Sequence, residues 1–219
     1  MRAQSLASSM WHSLVRLFFR LLYGPLAWTY DAVAWSVSIG RWKDWVLQTL
    51  PYLEGPLVLE LGHGPGHLQT AMAQQSLTPI GLDLSPQMGR LAHRRLAREG
   101  LPTRLVRARS QALPFPDGSF PDIVATFPTA YIVDPCTLRE LGRVLTGEGR
   151  AVVLASMRLT GKGILSRLLE WLYRVTGQRD PGISQPLDAL SGSGLSFQAE
   201  WVTVERGEIL LLTGGHRSQ

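Results

Sequence analysis

The sequence predicts an α/β protein with a doubly wound, mostly parallel seven-stranded sheet, an antiparallel C-terminal hairpin and an N-terminal helical cap. Short apolar runs alternate with amphipathic segments after residue 51, a glycine-rich turn joins the first run to the first segment, and two β-rich runs follow near the C-terminus. Apolar residues make up 45% of the 219 residues and charged residues 18%, which is enough for a core and excludes general disorder.

The N-terminal stretch is predicted to form an aromatic-rich helical cap over residues 1–50, ahead of a main domain over residues 51–219. Five of the seven tryptophans lie in the first 45 residues. Charged residues and Pro25 interrupt its apolar run, so we expect neither a spanning helix nor a signal peptide. The expected location is cytoplasmic, and an interfacial membrane helix is the alternative interpretation of this segment.

The main domain is predicted to alternate strands and helices. Strands are expected at residues 57–61, 78–83, 103–106, 122–127 and 151–155, and helices at residues 67–75, 86–99 and 135–147. Ser85-Pro86 and Asp134-Pro135 each combine a capping side chain with a proline that suits the first helical turn. Because the connections are too long for hairpins, these strands are expected to be parallel.

The last third is predicted to end the sheet differently. A helix over residues 164–175 and a loop rich in Gly, Pro and Ser over residues 178–196 precede two β-rich runs. These runs, at residues 197–204 and 208–212, are close enough in sequence to pair as an antiparallel hairpin at one end of the sheet.

Composition limits the classes of function. The single cysteine, Cys136, excludes an internal disulfide and any CxxC metal or redox motif. Only His63 and His67 have a ligand-like spacing, and the Gly-Pro-Gly turn between them makes a metal site unexpected. The formal net charge of +5 permits an anionic partner without identifying one.

The first predicted strand runs into the turn Gly62-His63-Gly64-Pro65-Gly66, whose backbone N–H groups can approach a ligand closely. Asp83 falls at the tip of the next strand, where a carboxylate can bind vicinal ribose hydroxyls. The pair predicts a nucleoside-containing cofactor. A dinucleotide fingerprint would need glycine at position 67, where the chain has His67, so an NAD(P)-dependent oxidoreductase is the less favoured alternative.

These features resemble class I S-adenosylmethionine-dependent methyltransferases, and within them the small-molecule branch of methyltransferase type 11 that includes the ubiquinone/menaquinone-type C-methyltransferases. The matching blocks are residues 58–68, 81–88, 112–120 and 140–149. The resemblance implies a Rossmann-like fold, S-adenosyl-L-methionine as cofactor, and in-line methyl transfer to a small, apolar or lipid-like acceptor.

The resemblance also implies which residues bind the cofactor. Glu60 and the glycine turn would hold the methionine portion, Asp83 the ribose, and Leu84 with Met88 the adenine ring. The segment 110–112 would meet the adenine edge, and Phe127 would lie near the sulfonium. The implied set is Glu60, Gly62, His63, Gly64, Gly66, Asp83, Leu84, Met88, Ser110, Gln111, Ala112 and Phe127. Arg109 and Pro121 depart from the family pattern, which usually has an acidic residue at both places.

No catalytic residue is assigned. Methyl transfer needs orientation of the acceptor and exclusion of water, and a base only if the acceptor must lose a proton. His63, Tyr131 and Tyr30 are candidates, each with packing as the favoured interpretation. Cys136 is expected in a helical first turn, about nine residues beyond the fourth strand, which argues against a covalent nucleophile.

Two further interpretations concern partners and activity. The arginines between residues 90 and 109 are expected to form a solvated face, so nucleic acid is not the expected partner. A membrane-associated or regulatory protein that keeps the fold without catalysis is the second alternative, motivated by Arg109 and the aromatic N-terminus. The oligomeric state is not assigned.

Overall fold

The computed structural model describes residues 42–159, 194–205 and 207–217. Most of the predicted N-terminal cap, the predicted helix over residues 164–175 and most of the loop after it lie outside these residues. Tyr30 lies outside them as well.

The described residues contain four α-helices, two short 3-10 turns and seven strands. The helices are α1 (Trp42–Leu47), α2 (His67–Gln74), α3 (Pro86–Arg98) and α4 (Pro135–Val144). The 3-10 turns are Leu50–Tyr52 and Ala130–Val133. The strands are β1 (Leu57–Leu61), β2 (Thr78–Asp83), β3 (Leu105–Arg107), β4 (Phe120–Thr126), β5 (Leu145–Leu159), β6 (Leu195–Val204) and β7 (Gly207–His216).

The strands form one sheet in the order β3-β2-β1-β4-β5-β7-β6. Strands β1 to β5 pair in parallel, whereas β7 is antiparallel to both β5 and β6. This arrangement confirms the predicted doubly wound sheet with its antiparallel C-terminal end. Because β2 and β4 flank β1, the chain changes direction across the sheet at β1, and a crevice opens there beyond the carboxyl ends of the strands.

The two faces of the sheet bury separate apolar clusters, because side chains alternate along each strand. Leu59, Ile123 and Val153 belong to the cluster that contains Leu138 and Leu141 of α4. The adjacent strand positions 58, 124 and 152 belong to the other cluster, together with side chains from α1 and α2. Every central strand is thus covered on both sides, which explains its uninterrupted apolar sequence.

Both predicted helix caps are confirmed. The Ser85 hydroxyl accepts the N–H of Met88 at 3.2 Å, and the Asp134 carboxylate accepts the N–H of Cys136 at 2.7 Å. In each case proline follows the capping residue and needs no hydrogen-bond acceptor for its nitrogen.

The predicted limits of α4 and β5 are wrong. The helix ends at Val144 rather than at residue 147, and the strand begins at Leu145 rather than at residue 151. Leu145 pairs with Phe120 of β4, after which the register shifts until Asp122 pairs with Arg150. Leu145 is 2% exposed in the sheet. The free energy gained by burying it there outweighs the free energy that three more helical residues would contribute. Strand β3 also begins two residues later than predicted.

Arg143 of α4 fastens the loop that precedes β4. Its guanidinium donates to the carbonyl oxygens of Leu113 at 3.0 Å and Phe115 at 2.8 Å. It also forms ion pairs of 2.7 Å with Asp117 and 2.8 Å with Glu140. Glu140 accepts the N–H of Leu113, and its hydrogen bonds with Arg143 lower the pKa of its carboxyl group. The loop before β4 is therefore held by two side chains of α4, Arg143 and Glu140.

We expect Arg143→Lys to destabilise the protein by about 1–3 kcal/mol, because lysine keeps the charge but cannot bind two carbonyls and two carboxylates as a planar fork. Denaturant unfolding followed by circular dichroism measures the change. Arg139→Lys, at an exposed position on the same helix, is the matched control and should change the unfolding free energy little. Equal midpoints for the two variants would contradict the role given to Arg143.

Candidate cofactor-binding site

The glycine-rich turn lies at the carboxyl end of β1 and is docked on β2. The N–H groups of Gly62 and His63 donate to the Leu82 carbonyl at 2.7 and 3.3 Å. Gly64 has a φ of +51°, and a Cβ added there would meet nothing within 4 Å. The turn therefore presents backbone to open space at Gly64, where a ligand can approach.

Gly66 has a different role. Its φ is +83°, and a Cβ at this position would lie 2.8 Å from the Cβ of Ala92 on α3. Glycine here allows α2, which begins at the next residue, to pack closely against α3. The turn thus combines one glycine that faces open space with one that permits helix packing.

The Asp83 carboxylate connects the turn to the end of β2. Its Oδ2 accepts the N–H of Gly64 at 3.0 Å, and its Oδ1 accepts the N–H of Ser85 at 2.8 Å. A carboxylate has about four lone-pair positions, so each oxygen can still accept one hydroxyl. The half-buried Asp83 therefore fits the vicinal diol of a ribose.

Glu60 lies beneath the turn with 1% of its surface exposed. Its Oε2 accepts a hydrogen bond of 2.8 Å from Nε2 of Gln69 on α2. Burial is the main cause that raises the pKa of Glu60 to about 8; the Gln69 hydrogen bond opposes this shift, and the nearby Asp83 charge adds a smaller increase. The carboxyl group is mostly protonated at neutral pH, and it joins β1 to α2. Gln69 was not identified from the sequence, because nothing local marks it as the partner of Glu60.

His63 and Tyr131 both stabilise the turn. His63 is 4% exposed, and its Nδ1 donates to the Gly64 carbonyl at 2.7 Å, since a carbonyl oxygen can only accept. Burial lowers the pKa of His63, which keeps the ring neutral. The Tyr131 hydroxyl donates to the Leu61 carbonyl at 3.0 Å. These contacts give both side chains a structural role in holding the turn.

The residues expected around adenine differ in accessibility. Leu84 is 54% exposed, whereas Met88 is fully buried on the inner face of α3. The Ser110 hydroxyl lies 3.1 Å from the Thr137 hydroxyl, and Gln111 donates to Asp134 at 3.4 Å. The segment 110–112 is thereby anchored to the start of α4, and its contact with adenine stays a prediction.

An aromatic pair at the end of β4 was only partly anticipated. Phe127 has a φ of +46°, in the left-handed region that non-glycine residues seldom adopt, and such strain is typical of functional sites. Trp42 of α1 stacks on Phe127 with ring centroids 4.2 Å apart. The aromatic N-terminal sequence predicted rings near the site, but only the fold identifies Trp42 as the one in contact.

Two features are absent from the described segments. Within residues 42–159, 194–205 and 207–217, no group of three or more His, Cys, Asp or Glu side chains could hold a metal ion. The helices in those same segments include none with the length and apolar character needed to cross a bilayer.

We expect the stability of the cofactor-free protein to fall as pH rises from about 4.5 to about 8, because unfolded Glu60 loses its proton near the lower value and folded Glu60 near the higher. The slope due to this group approaches about 1.4 kcal/mol per pH unit. Glu60→Gln should remove that part of the slope while keeping an acceptor for Gln69. Denaturant unfolding at several pH values measures both proteins.

Glu148→Gln is the control, since Glu148 is exposed. It should leave the wild-type pH dependence unchanged. If wild type and Glu60→Gln lose stability in parallel across this range, Glu60 does not carry the titration.

Comparison with known proteins extends these observations. A family model described as a methyltransferase domain matches residues 58–149. The ubiquinone/menaquinone biosynthesis C-methyltransferase UbiE of Geotalea uraniireducens is 29% identical over 150 residues, covering 64% of each chain. The demethylmenaquinone methyltransferase of Thermus thermophilus is 32% identical over 143 residues, covering 61% of this chain and 63% of the relative. The chain thus spans slightly less than two thirds of these relatives.

Solved structures show the same fold. Geranyl diphosphate C-methyltransferase from Streptomyces coelicolor superposes with a TM-score of 0.59 at 13% identity, over 80% of this chain and 78% of that chain. The matched domain includes the turn and Asp83, and the sheet order agrees with the fold that the motifs predicted. Residues 58–149 thus match a methyltransferase domain, and the sheet has the fold of solved methyltransferases.

Proposed function

We propose that this protein transfers the methyl group of S-adenosylmethionine to a small, apolar or lipid-like acceptor. The observation that carries the proposal is the Asp83 carboxylate, which is fixed beside the open backbone of Gly64 and can still accept two hydroxyls. This carboxylate can accept hydrogen bonds from a diol, and it lies next to exposed backbone at the carboxyl ends of β1 and β2. The combination suits a nucleoside with an amino-acid tail.

The residues at the strand ends divide the cofactor between them in this proposal. Asp83 binds the ribose hydroxyls, the turn at Gly64 receives the methionine portion, and the exposed Leu84 packs on adenine. Bound S-adenosylmethionine supplies an electrophilic methyl group on a cationic sulfonium. Phe127 and Trp42 present aromatic rings at the end of β4, where they can attract that cation and exclude water.

The names of the relatives support a quinone-like acceptor. They are described as acting in ubiquinone/menaquinone biosynthesis or on demethylmenaquinone. The domain at residues 51–219 is proposed to bind the cofactor, and residues 1–50 are proposed as the cap that completes the acceptor pocket. The proposed location of the protein is cytoplasmic.

One alternative is a protein that has this fold and binds the cofactor but does not catalyse methyl transfer. Arg109 is exposed where the family usually has an acidic acceptor for the adenine amino group, and arginine offers no acceptor. A cofactor-binding protein without turnover is therefore the second candidate. It differs from the first in showing cofactor binding but no methyl transfer to any quinol analogue.

We expect Asp83→Ala to weaken S-adenosylmethionine binding by about 2–3 kcal/mol, or roughly 30- to 150-fold in Kd, because two charge-assisted hydrogen bonds are lost. Isothermal titration measures it, with thermal unfolding to confirm the fold. Glu99→Ala, at the exposed end of α3, is the matched control and should bind normally. Wild-type affinity in Asp83→Ala, or binding of NADH in preference to S-adenosylmethionine, would contradict the assignment.

Cys136→Ser should retain turnover within about twofold of wild type. Cys136 is exposed in the first turn of α4, ten positions after β4 ends at Thr126, and Arg139 donates to its sulfur at 3.2 Å. A covalent nucleophile would have to reach the methyl group from the end of β4. Methyl transfer to a water-soluble demethylmenaquinol analogue is the assay. Loss of turnover by orders of magnitude, with cofactor binding retained, would overturn this prediction and favour a nucleic-acid substrate.

A further inference from the structure

The positive charge of this chain is concentrated in one segment. Residues 83–109 contain seven arginines and two carboxylates, Asp83 and Glu99, so the segment has a formal charge of +5. This equals the formal net charge of the whole chain, and the remaining residues therefore sum to zero. We name the exposed arginines of α3 and β3 and their flanks the basic edge: Arg90, Arg94, Arg98, Arg104, Arg107 and Arg109.

Carboxylates do not neutralise this edge in the part of the chain that the structure describes. Arg90, Arg94, Arg98 and Arg104 form no ion pair with any described residue. Arg143 and Arg150, by contrast, form ion pairs with carboxylates. Surface arginines that serve only solubility are commonly interspersed with acidic residues, so a block of unpaired guanidinium groups favours an anionic partner.

The basic edge borders a groove of about 390 Å³ between α3 and β3. Arg90, Arg94 and Arg107 line it, and Asp83 and His63 form its end at the cofactor site. Because β3 is the last strand of the sheet, the groove lies at the margin of the molecule. One guanidinium group can donate two parallel hydrogen bonds to the oxygens of a phosphate. The groove therefore has the chemistry to bind phosphate-bearing headgroups, and its volume is large enough to hold them.

Leu84 adds an apolar contact at the same place. Among the described residues it is the only large hydrophobic side chain that is exposed, at 54%. Nε of Arg107 donates to its carbonyl oxygen at 3.2 Å, which ties Leu84 to the basic edge. An exposed leucine beside clustered arginines is the combination found where proteins lie on anionic membranes.

We propose that the basic edge and Leu84 form a docking surface for a bilayer containing anionic phospholipids. The arginines bind headgroup phosphates, and in the cofactor-free protein, where no adenine ring covers it, Leu84 enters the interface. Leu84 directly follows Asp83, so docking would place the mouth of the cofactor site against the bilayer. The purpose of this docking rests on the proposed function, because a lipid-like acceptor dissolved in the membrane would then need no passage through water.

Single-stranded nucleic acid fits the groove less well. Non-specific binding of a single strand combines a positive groove with aromatic side chains on which bases stack. The described residues that line the groove include no Phe, Tyr or Trp. A bilayer needs no stacking platform, and it explains the exposed Leu84 as well as the arginines.

The test is flotation of the full chain with vesicles of phosphatidylcholine alone or mixed with phosphatidylglycerol, at low and high salt. We expect binding to the mixed vesicles only, weakened by salt. Arg90→Gln combined with Arg94→Gln should lower partitioning about tenfold or more, and Leu84→Gln should lower it less. Arg139→Gln combined with Arg158→Gln removes the same charge from α4 and β5 and should bind like wild type.

The outcomes are distinct from those for the methyltransferase proposal, because vesicle binding is measured without turnover and S-adenosylmethionine titration reports on the cofactor site. Absence of wild-type binding, or equal binding by the two double variants, would overturn the docking surface. In the second case another part of the chain would carry membrane contact. Binding of a short RNA without binding of vesicles would also overturn it. If Arg90→Gln with Arg94→Gln folds poorly, Arg98→Gln with Arg104→Gln provides the same test.

Discussion

The site depends on the hydrogen bond from the Gly64 N–H to the Asp83 carboxylate. This bond joins the turn after β1 to the end of β2, two elements that the parallel pairing of Leu61 with Leu82 has already brought side by side. The same carboxylate also accepts the N–H of Ser85, which starts α3. One side chain therefore positions the turn, begins a helix and keeps acceptor capacity for a ligand, so the fold and the proposed function share a single contact.

Burial determines how charge is distributed around this contact. It raises the pKa of Glu60 and lowers that of His63, so that both side chains are mainly neutral at neutral pH. Each is also hydrogen-bonded, Glu60 to Gln69 and His63 to the Gly64 carbonyl, which removes the cost of a buried unpaired polar group. A neutral support beneath an accessible carboxylate suits a ligand that carries hydroxyls at one end and a cation at the other.

The two ends of the sheet, at β6 and at β3, differ in the interactions that stabilise them. Beyond β5 the antiparallel pair β6 and β7 closes the sheet by backbone pairing. Beyond β1 the sheet ends at the three-residue strand β3, and the loop after it has no helix of its own and relies on Arg143. Among the described residues no strand pairs with the outer side of β3, and the arginines of the basic edge and Leu84 lie at this margin, next to the cofactor site.

Sequence alone was enough to predict the order of strands and helices along the chain, the turn, the caps at Ser85 and Asp134, and Asp83 at the tip of β2. These features depend on residues close together in the chain, where apolar period, glycine and capping chemistry act directly. The folded structure was needed to show where β5 begins, that Gln69 donates a hydrogen bond to Glu60, and that Trp42 stacks on a strained Phe127. Those outcomes depend on contacts between different elements, and their energies arise from packing that local sequence does not encode.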